Sequence, residues 1–252
     1  MTVEIAVAGK GGVGKTTFTS LVIRELLKVG KKPILAVDAD ANANLNEALG
    51  MEVEMSIADI VARIANNLEP LPAGMTKDQY VEYKINQSLI EGDDVDLLVM
   101  GGPEGQGCYC YANNLLRQFI ADLKKNYPYM VMDNEAGMEH LSRRTTQNVD
   151  FLFVVSDASA RSIRSAGRIK ELVDSIKLDI GKMYLIVTKG SPSDVEALKE
   201  EIDKTGLELI GIIPPDQNVF QYDLQSKPIY DLPENSPAVE AVRDILKKAG
   251  IL

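Results

Sequence analysis

The sequence predicts an α/β protein with a mostly parallel central sheet and helices on both faces of that sheet. Short apolar runs rich in β-branched residues alternate with longer amphipathic segments along the chain. Most of these runs are almost entirely apolar, which is typical of strands covered on both faces. A glycine-rich segment joins the first run to the first amphipathic segment, as expected for a strand-to-helix loop at the ligand-binding edge of such a sheet.

The apolar runs are predicted as strands and the amphipathic segments as helices. The predicted strands are Val3–Ala8, Pro33–Asp38, Val95–Met100, Tyr129–Asp133, Phe151–Val155, Met183–Thr188 and Leu209–Ile213. The predicted helices are Thr17–Val29, Asn42–Leu49, Asn113–Lys125, Arg161–Ile176, Val195–Lys204 and Ala238–Lys247. The polar segment from about residue 51 to residue 92 has only helical periodicity, and we interpret it as a helical insertion. At 252 residues the chain is expected to form a single domain, residues 1–252.

Composition and charge argue against several functions. The chain has 27 basic and 37 acidic residues and a formal net charge of -10, which disfavours binding to nucleic acid or to anionic lipid. The first residues lack the basic start and long apolar run of a signal peptide, and no stretch approaches the roughly 20 apolar residues of a membrane span. We therefore expect a cytoplasmic protein with reduced cysteines that binds neither nucleic acid nor membrane.

The sequence GKGGVGKTT lies between the first predicted strand and the first predicted helix, with the spacing G-x-x-x-x-G-K-T. Glycines let the backbone wrap closely so that N–H groups face phosphate oxygens, and the N-terminus of the next helix adds partial positive charge. The lysine of the motif can reach the β- and γ-phosphates, and its threonine can bind Mg²⁺. The sequence therefore predicts a P-loop NTPase that binds its nucleotide through Gly9, Lys10, Gly11, Gly12, Val13, Gly14, Lys15, Thr16 and Thr17.

Lys10 gives this loop a second, earlier lysine. KGGVGKTT resembles the deviant Walker A motif of the MinD/ParA/nitrogenase-iron-protein group of ATPases. The resemblance implies that Lys10 crosses a homodimer interface and contacts the nucleotide of the partner subunit, as an arginine finger does. The alternative is a lysine that is merely solvated on an exposed loop.

Acidic residues end two of the predicted strands, at the edge of the sheet where ligands bind. Asp38 and Asp40 match the switch I segment of that group, which implies that Asp40 positions the attacking water and that Asp38 supports it. The alternative is that one of the two carboxylates caps the helix Asn42–Leu49. Asp133 lies four residues before Gly137, in a segment that resembles a Walker B motif followed by switch II. The resemblance implies that Asp133 binds Mg²⁺ through water and that the Gly137 N–H senses the γ-phosphate.

Members of the group contact the base from the loops after the sixth and seventh strands. The residues at those positions are Thr188, Lys189, Pro214, Pro215 and Asp216. Thr188 and Lys189 depart from the N-K-x-D pattern that reads guanine in related GTPases, which favours adenine. ATP and ADP are therefore the expected nucleotides.

Cys108 and Cys110 are the only cysteines of the chain, and they follow the third predicted strand after a glycine-rich segment. A helical pattern begins just beyond them, so the helix dipole would favour their thiolate forms. Two thiolates are half of a tetrahedral S₄ site, and a two-fold axis near the pair would supply the other half. Thiolates suit Zn²⁺, and Ni²⁺ is compatible with them. Buried cysteines, a redox-active pair and a bridging Fe–S cluster are the open alternatives.

The phosphate loop, the Cys-x-Cys pair, the segment DNEAGMEHLSR and the IPPD segment together resemble the CooC-type nickel-insertion ATPases. The resemblance covers essentially the whole chain. It implies a homodimer closed by ATP, in which two Cys-x-Cys motifs share one Ni²⁺ or Zn²⁺, and a client that is carbon monoxide dehydrogenase or acetyl-CoA synthase. The single histidine, His140, is a further candidate ligand, although a structural role is the commoner one. A MinD/ParA-like positioning ATPase and a reductase like the nitrogenase iron protein are the alternative functions.

Overall fold

A computed structural model of the chain describes residues 2–40, 42–66, 71–101, 119–134 and 148–252. Seven strands form one sheet in the order β3-β2-β4-β1-β5-β6-β7, and every pair of neighbours is parallel. The predicted fold class is therefore confirmed. The strands are β1 (Val3–Gly9), β2 (Ile34–Ala39), β3 (Val95–Val99), β4 (Tyr129–Asn134), β5 (Asn148–Asp157), β6 (Asp179–Thr188) and β7 (Glu208–Ile213).

Helices connect these strands. They are α1 (Lys15–Lys28), α2 (Leu45–Leu49), α3 (Ile57–Ala65), α4 (Lys77–Gln87), α5 (Ala160–Ile176), α6 (Pro192–Ala197), α7 (Lys199–Thr205), α8 (Gln217–Leu224) and α9 (Pro237–Ala249). Residues 119–123 are also helical and lead into a 3₁₀ turn, Lys124–Asn126, and a second 3₁₀ turn is Ile229–Asp231.

Apolar cores cover both faces of the sheet because successive side chains of a strand point to opposite faces. In β1, Ile5 and Val7 pack in the core that contains the apolar positions of α1 and α9, whereas Ala6 and Ala8 belong to the core on the other face. The apolar positions of α3, α4 and α5 complete that second core.

Two helices begin three residues away from their predicted starts. The segment predicted as Val195–Lys204 is divided at Leu198 into α6 and α7. Helix α6 starts early because Ser191, directly before Pro192, forms a reciprocal capping box with Asp194. The helix predicted from Asn42 begins only at Leu45. Ala43 has a φ of 45°, and this left-handed conformation cannot belong to a right-handed helix.

The last helix, α9, is amphipathic, with its apolar side turned into the protein. Val239, Val242, Ile245 and Leu246 are at most 1% exposed. The apolar face of α9 is therefore part of the core. Among the described residues, no helix is both long and apolar enough to cross a membrane.

Candidate functional site

The glycine-rich loop runs from the end of β1 to the start of α1. Gly12 and Gly14 have φ values of 79° and 91°, in the left-handed region that glycine adopts without strain. Gly9 has no space for a side chain, because a Cβ there would lie 2.3 Å from the Val155 carbonyl oxygen. Gly14 precedes α1 and offers no side-chain cap, so the first N–H groups of this helix remain available to an anion.

Lys15 and Asp40 meet beside this loop. The Lys15 ammonium is 3.8 Å from Asp40 Oδ2, and the side chains are only 7% and 16% exposed. The other oxygen of Asp40 accepts hydrogen bonds from the backbone N–H of Asn42, at 3.0 Å, and from its side-chain amide, at 3.2 Å. Asp40 is therefore oriented from both sides, with one carboxylate oxygen directed at the phosphate-loop lysine.

Thr16 and Asp133 join the loop to the end of β4. The Thr16 hydroxyl donates to Asp133 Oδ2 at 2.6 Å. Asp133 is 1% exposed, and its Oδ1 atom is buried without a hydrogen-bond partner. Burial, together with the nearby charges of Asp38 and Asp40, raises the pKa of Asp133 to about 7, against the lowering effects of Thr16 and Lys15.

A magnesium ion fits these residues. An unpaired buried carboxylate oxygen beside a threonine hydroxyl is a set of hard oxygen donors, which Mg²⁺ prefers. A cation would also lower the electrostatic cost of ionising Asp133. Thr16 and Asp133 are thus the residues that would hold the ion, directly or through water.

Asp38 is fully buried, and both of its carboxylate oxygens are occupied. Oδ1 accepts from the Asp40 N–H at 3.1 Å, and Oδ2 accepts from the Leu45 N–H, the first of α2, at 2.8 Å. Burial raises the pKa of Asp38, and these backbone hydrogen bonds oppose that effect. Asp38 therefore caps the start of α2, in keeping with the alternative that one of the two aspartates is a helix cap.

The end of β6 touches the opposite side of the glycine loop. The buried Thr188 hydroxyl contacts the carbonyl oxygen of Val13 at 2.6 Å and that of Ser156 at 3.2 Å. The Lys189 ammonium donates to the Gly12 carbonyl at 3.1 Å. No local sequence pattern indicates these contacts, because they join segments about 175 residues apart.

The loop after β7 is fixed by a second aspartate. Asp216 precedes α8 and accepts hydrogen bonds from the N–H groups of Asn218 and Ala238, at 2.8 Å and 3.0 Å, and from the Ser236 hydroxyl. Although burial opposes it, these hydrogen bonds hold the pKa of Asp216 below its usual value. Pro214 is half-buried and Pro215 is exposed. This loop therefore presents proline side chains while its carboxylate joins α8 to α9.

Residues 5–229 match the model of the CobQ/CobB/MinD/ParA nucleotide-binding domain family. The chain belongs to this family. Membership accounts for the glycine loop, because binding a nucleotide is what the family has in common. The seven-stranded parallel sheet with helices agrees with the fold of the family's solved structures.

Relatives in this family differ in their stated roles. An uncharacterized ATP-binding protein of Methanocaldococcus jannaschii is 47% identical over 97% of both chains. The carbon monoxide dehydrogenase accessory protein CooC of Rhodospirillum rubrum is 32% identical, over 93% of this chain and 91% of CooC. The septum site-determining protein MinD of Synechocystis is 26% identical, over 89% of this chain and 80% of that protein.

Solved structures extend the similarity in fold. A chain of the MinC:MinD cell division protein complex of Aquifex aeolicus matches with a TM-score of 0.70 and 23% identity, over 99% of this chain and 96% of that one. MinD of Pyrococcus horikoshii, complexed with Mg-ADP, has a TM-score of 0.70 and 20% identity, over 99% and 96% of the two chains. At these identities the likeness concerns the fold alone.

The structure thus brings together five of the residues selected from the sequence. Contacts of 3.8 Å or less join Lys15 to Asp40, Thr16 to Asp133, and the backbone N–H of Asp40 to the Asp38 carboxylate. Lys15 and Thr16 are successive residues of the chain. Lys10 is exposed in the glycine loop, with Gly11 and Gly12. Gly137, His140, Cys108 and Cys110 lie outside the described residues.

One residue of the site was not given a role from the sequence. Asn134 is fully buried, and its amide donates to the Val7 carbonyl of β1 at 3.1 Å. It therefore ties the end of β4 to the strand that carries the glycine loop. Its position directly after Asp133, at the end of an apolar strand, is the signal that could have identified it.

Proposed function

We propose that this protein is a Mg²⁺-dependent ATPase that works as a nucleotide-closed homodimer and delivers nickel to a client enzyme. The observation that carries the ATPase part is the convergence of Lys15, Thr16, Asp40 and Asp133 on one end of the glycine loop, within the distances given above. A lysine, a hydroxyl and two carboxylates at a phosphate-binding loop are the groups that phosphoryl transfer requires.

Each of these groups has a distinct task in hydrolysis. Lys15 would balance the negative charge that develops on the β- and γ-phosphates. Mg²⁺ held by Thr16 and Asp133 would supply further charge neutralisation. Asp40 would orient the attacking water, because one of its oxygens is fixed by Asn42 while the other faces the position of Lys15.

The nucleotide-dependent dimer is proposed from Lys10. This lysine is exposed in the glycine loop. If two subunits meet at their glycine loops, Lys10 of one subunit could therefore contact the phosphates of the nucleotide bound to the other subunit. The lysine would then act in trans.

The cargo is proposed from Cys108 and Cys110, together with the 32% identity to CooC. Two Cys-x-Cys motifs on a two-fold axis would provide four thiolates for one Ni²⁺ or Zn²⁺. The client would then be carbon monoxide dehydrogenase or acetyl-CoA synthase. Nucleotide state would decide whether the metal is held, because only the dimer has a complete site.

A MinD-like positioning role is the second candidate, and identity to MinD proteins favours it. Such a role would use a surface helix to bind a membrane. The apolar face of α9 lies in the core and is not available for that purpose. A reductase like the nitrogenase iron protein is the third candidate, and it would require iron at the cysteines.

Hydrolysis is tested with purified protein, Mg²⁺ and ATP. We expect Lys15→Ala and Asp40→Ala to lower the turnover number by at least about a hundredfold. Asp203→Ala, which removes an exposed carboxylate of α7, should have wild-type turnover. Full activity of the Asp40 variant would show that another residue positions the water.

Metal binding is tested by equilibrium dialysis and by light scattering, with and without ATP. We expect about one Ni²⁺ or Zn²⁺ per dimer, lost in Cys108→Ser and in Cys110→Ser while ATP binding is retained. Unchanged metal binding in these variants would refute the ligand assignment. A brown protein that contains iron would favour the reductase, and an ATP-dependent association with lipid vesicles would favour the MinD-like role.

A further inference from the structure

The turn that follows β6, formed by Thr188, Lys189 and Gly190, is packed against the glycine loop and against the end of β5. Gly190 is buried, and a Cβ there would lie 2.8 Å from Ala158 Cβ. The turn therefore has no free space on its β5 side. On its other side lie the carbonyl groups of Gly12 and Val13.

Thr188 contacts the glycine loop and the end of β5 at once. Its hydroxyl is 2.6 Å from the Val13 carbonyl oxygen and 3.2 Å from that of Ser156, the residue before the last of β5. A hydroxyl has one hydrogen to donate, so the shorter contact, with the glycine loop, is the stronger one. Thr188 is only 5% exposed, so water has little access to take the place of its hydroxyl.

Lys189 reaches the neighbouring carbonyl from a strained backbone. Its φ is 54°, in the left-handed region that is unfavourable for a residue with a Cβ. The Lys189 ammonium lies 3.1 Å from the Gly12 oxygen. Lys189 therefore keeps an unfavourable backbone conformation beside the closely packed Gly190 while its ammonium contacts the glycine loop. This combination indicates that the turn has to hold Lys189 in this place.

These two contacts fix the orientation of two successive peptide groups. In a planar trans peptide, the C=O and the following N–H point in opposite directions. Because Gly12 and Val13 direct their C=O groups at the turn, the N–H groups of Val13 and Gly14 point away from it. Convergent N–H groups on one side of the loop are what a phosphate requires.

We propose that Thr188 and Lys189 are positioning residues that preorganise the glycine loop for phosphate by holding its carbonyls. The inference rests on the proposed nucleotide site, and it differs from the expectation that these two residues contact the base. A residue that reads the base affects only ligands that have one. A residue that shapes the loop affects every polyphosphate.

Inorganic tripolyphosphate separates the two roles, because it has the phosphates of ATP without the base or ribose. Affinity for Mg-ATP and for Mg-tripolyphosphate is measured by titration calorimetry on the full chain. We expect Lys189→Met to weaken both ligands by a similar factor, about three- to tenfold, with recovery in Lys189→Arg. Lys199→Met, which removes an exposed lysine of α7, should change neither affinity.

Thr188→Val removes the hydroxyl without changing any charge, and Thr188→Ser keeps the hydroxyl. We expect the valine variant to weaken both ligands by about fivefold and the serine variant to resemble wild type. A loss confined to Lys189→Met, with Thr188→Val unaffected, would mean that the lysine acts through its charge and would overturn the proposal. Thermal melts without ligand identify any variant that is merely unfolded. The affinities of Thr188→Val and Thr188→Ser are compared at a temperature at which both variants are folded.

Weaker binding of Mg-ATP with unchanged binding of Mg-tripolyphosphate would also overturn the proposal, since it indicates contact with the base or ribose. Hydrolysis is assayed in parallel on the same samples. A wild-type protein that binds both ligands but does not hydrolyse ATP would contradict the proposed ATPase, while the ratio of affinities would still decide this inference.

Discussion

Replacing Asp38 by alanine should loosen the segment that carries Asp40. The carboxylate of Asp38 accepts two hydrogen bonds in a fully buried position, from the N–H groups of Asp40 and Leu45 at 3.1 Å and 2.8 Å. Alanine would leave both N–H groups without a partner. Asp40 and the start of α2 would then lose the two hydrogen bonds that hold them to the Asp38 side chain of β2.

The size of the effect follows from those two donors. A buried N–H that loses its partner costs about 1–3 kcal/mol. Two such groups give about 2–6 kcal/mol, and we expect a loss of about 3 kcal/mol in unfolding free energy because the start of α2 can shift towards water. Asp38→Asn keeps one acceptor oxygen, so it should cost about half as much.

The charge of Asp38 is not the source of this stability. Burial raises the pKa of Asp38, so ionisation of this carboxyl opposes folding. The stability that the raised pKa contributes is present at low pH, and it is lost as the pH rises through the pKa of the folded state. At pH 8, Asp38→Asn should be more stable than Asp38→Ala, because its uncharged amide keeps one acceptor oxygen. Urea denaturation at constant m-value measures the difference.

The same variants test whether Asp38 positions Asp40. We expect turnover to fall by about ten- to a hundredfold in Asp38→Ala, because a displacement of about 1 Å of a group near the reacting atoms has effects of this size. ATP affinity should change little, since Asp38 makes no hydrogen bond to the glycine loop in the part of the chain that the structure describes. An Asp38→Ala variant with wild-type stability and turnover would refute the reasoning, and Asp203→Ala is the matched control.

Further predictions concern the dimer, the bound Mg²⁺ and the ion pair between Arg243 and Glu25. Lys10→Ala should bind ATP but fail to dimerise or to hydrolyse it at the wild-type rate, and an ATP-dependent dimer of normal activity in light scattering would contradict the trans role. Asp133→Asn should lose the Mg²⁺ dependence of nucleotide affinity because a hard carboxylate ligand is gone, and calorimetry with Mg²⁺ and with EDTA checks this. Arg243→Met should lower the unfolding free energy by about 2 kcal/mol, because it removes a partner 2.6 Å from the buried Glu25 carboxylate. A denaturation midpoint equal to that of wild type would show that Arg24, 2.8 Å from the same carboxylate, is sufficient.

The fold class and the glycine loop could be predicted because both are written in local patterns. Apolar runs of strand length identify buried strands, and glycine spacing identifies a loop that needs left-handed backbone. The position of Asp133 at the carboxyl end of β4 was predictable because it ends such a run. The extent of α2 was not, since the left-handed Ala43 has no compositional signal.

The amphipathic α9 shows where local pattern is insufficient. The sequence 238–247 suits a helix on a core and a helix on a membrane equally well, because both bury one apolar face. Only the packing of Val242 and Leu246 against the sheet decides that this face lies in the core.

The sequence alone thus determined the parallel α/β fold, the phosphate-binding loop and the acidic strand ends. The tertiary structure decided what those acids contact, since Asp38 accepts hydrogen bonds from two backbone N–H groups while Asp133 keeps an unpaired oxygen. It also decided that Thr188 holds Val13, a contact between residues 175 positions apart. Such a contact depends on the order of strands in the sheet, which places β5 between β1 and β6, and no local pattern of residues specifies that order.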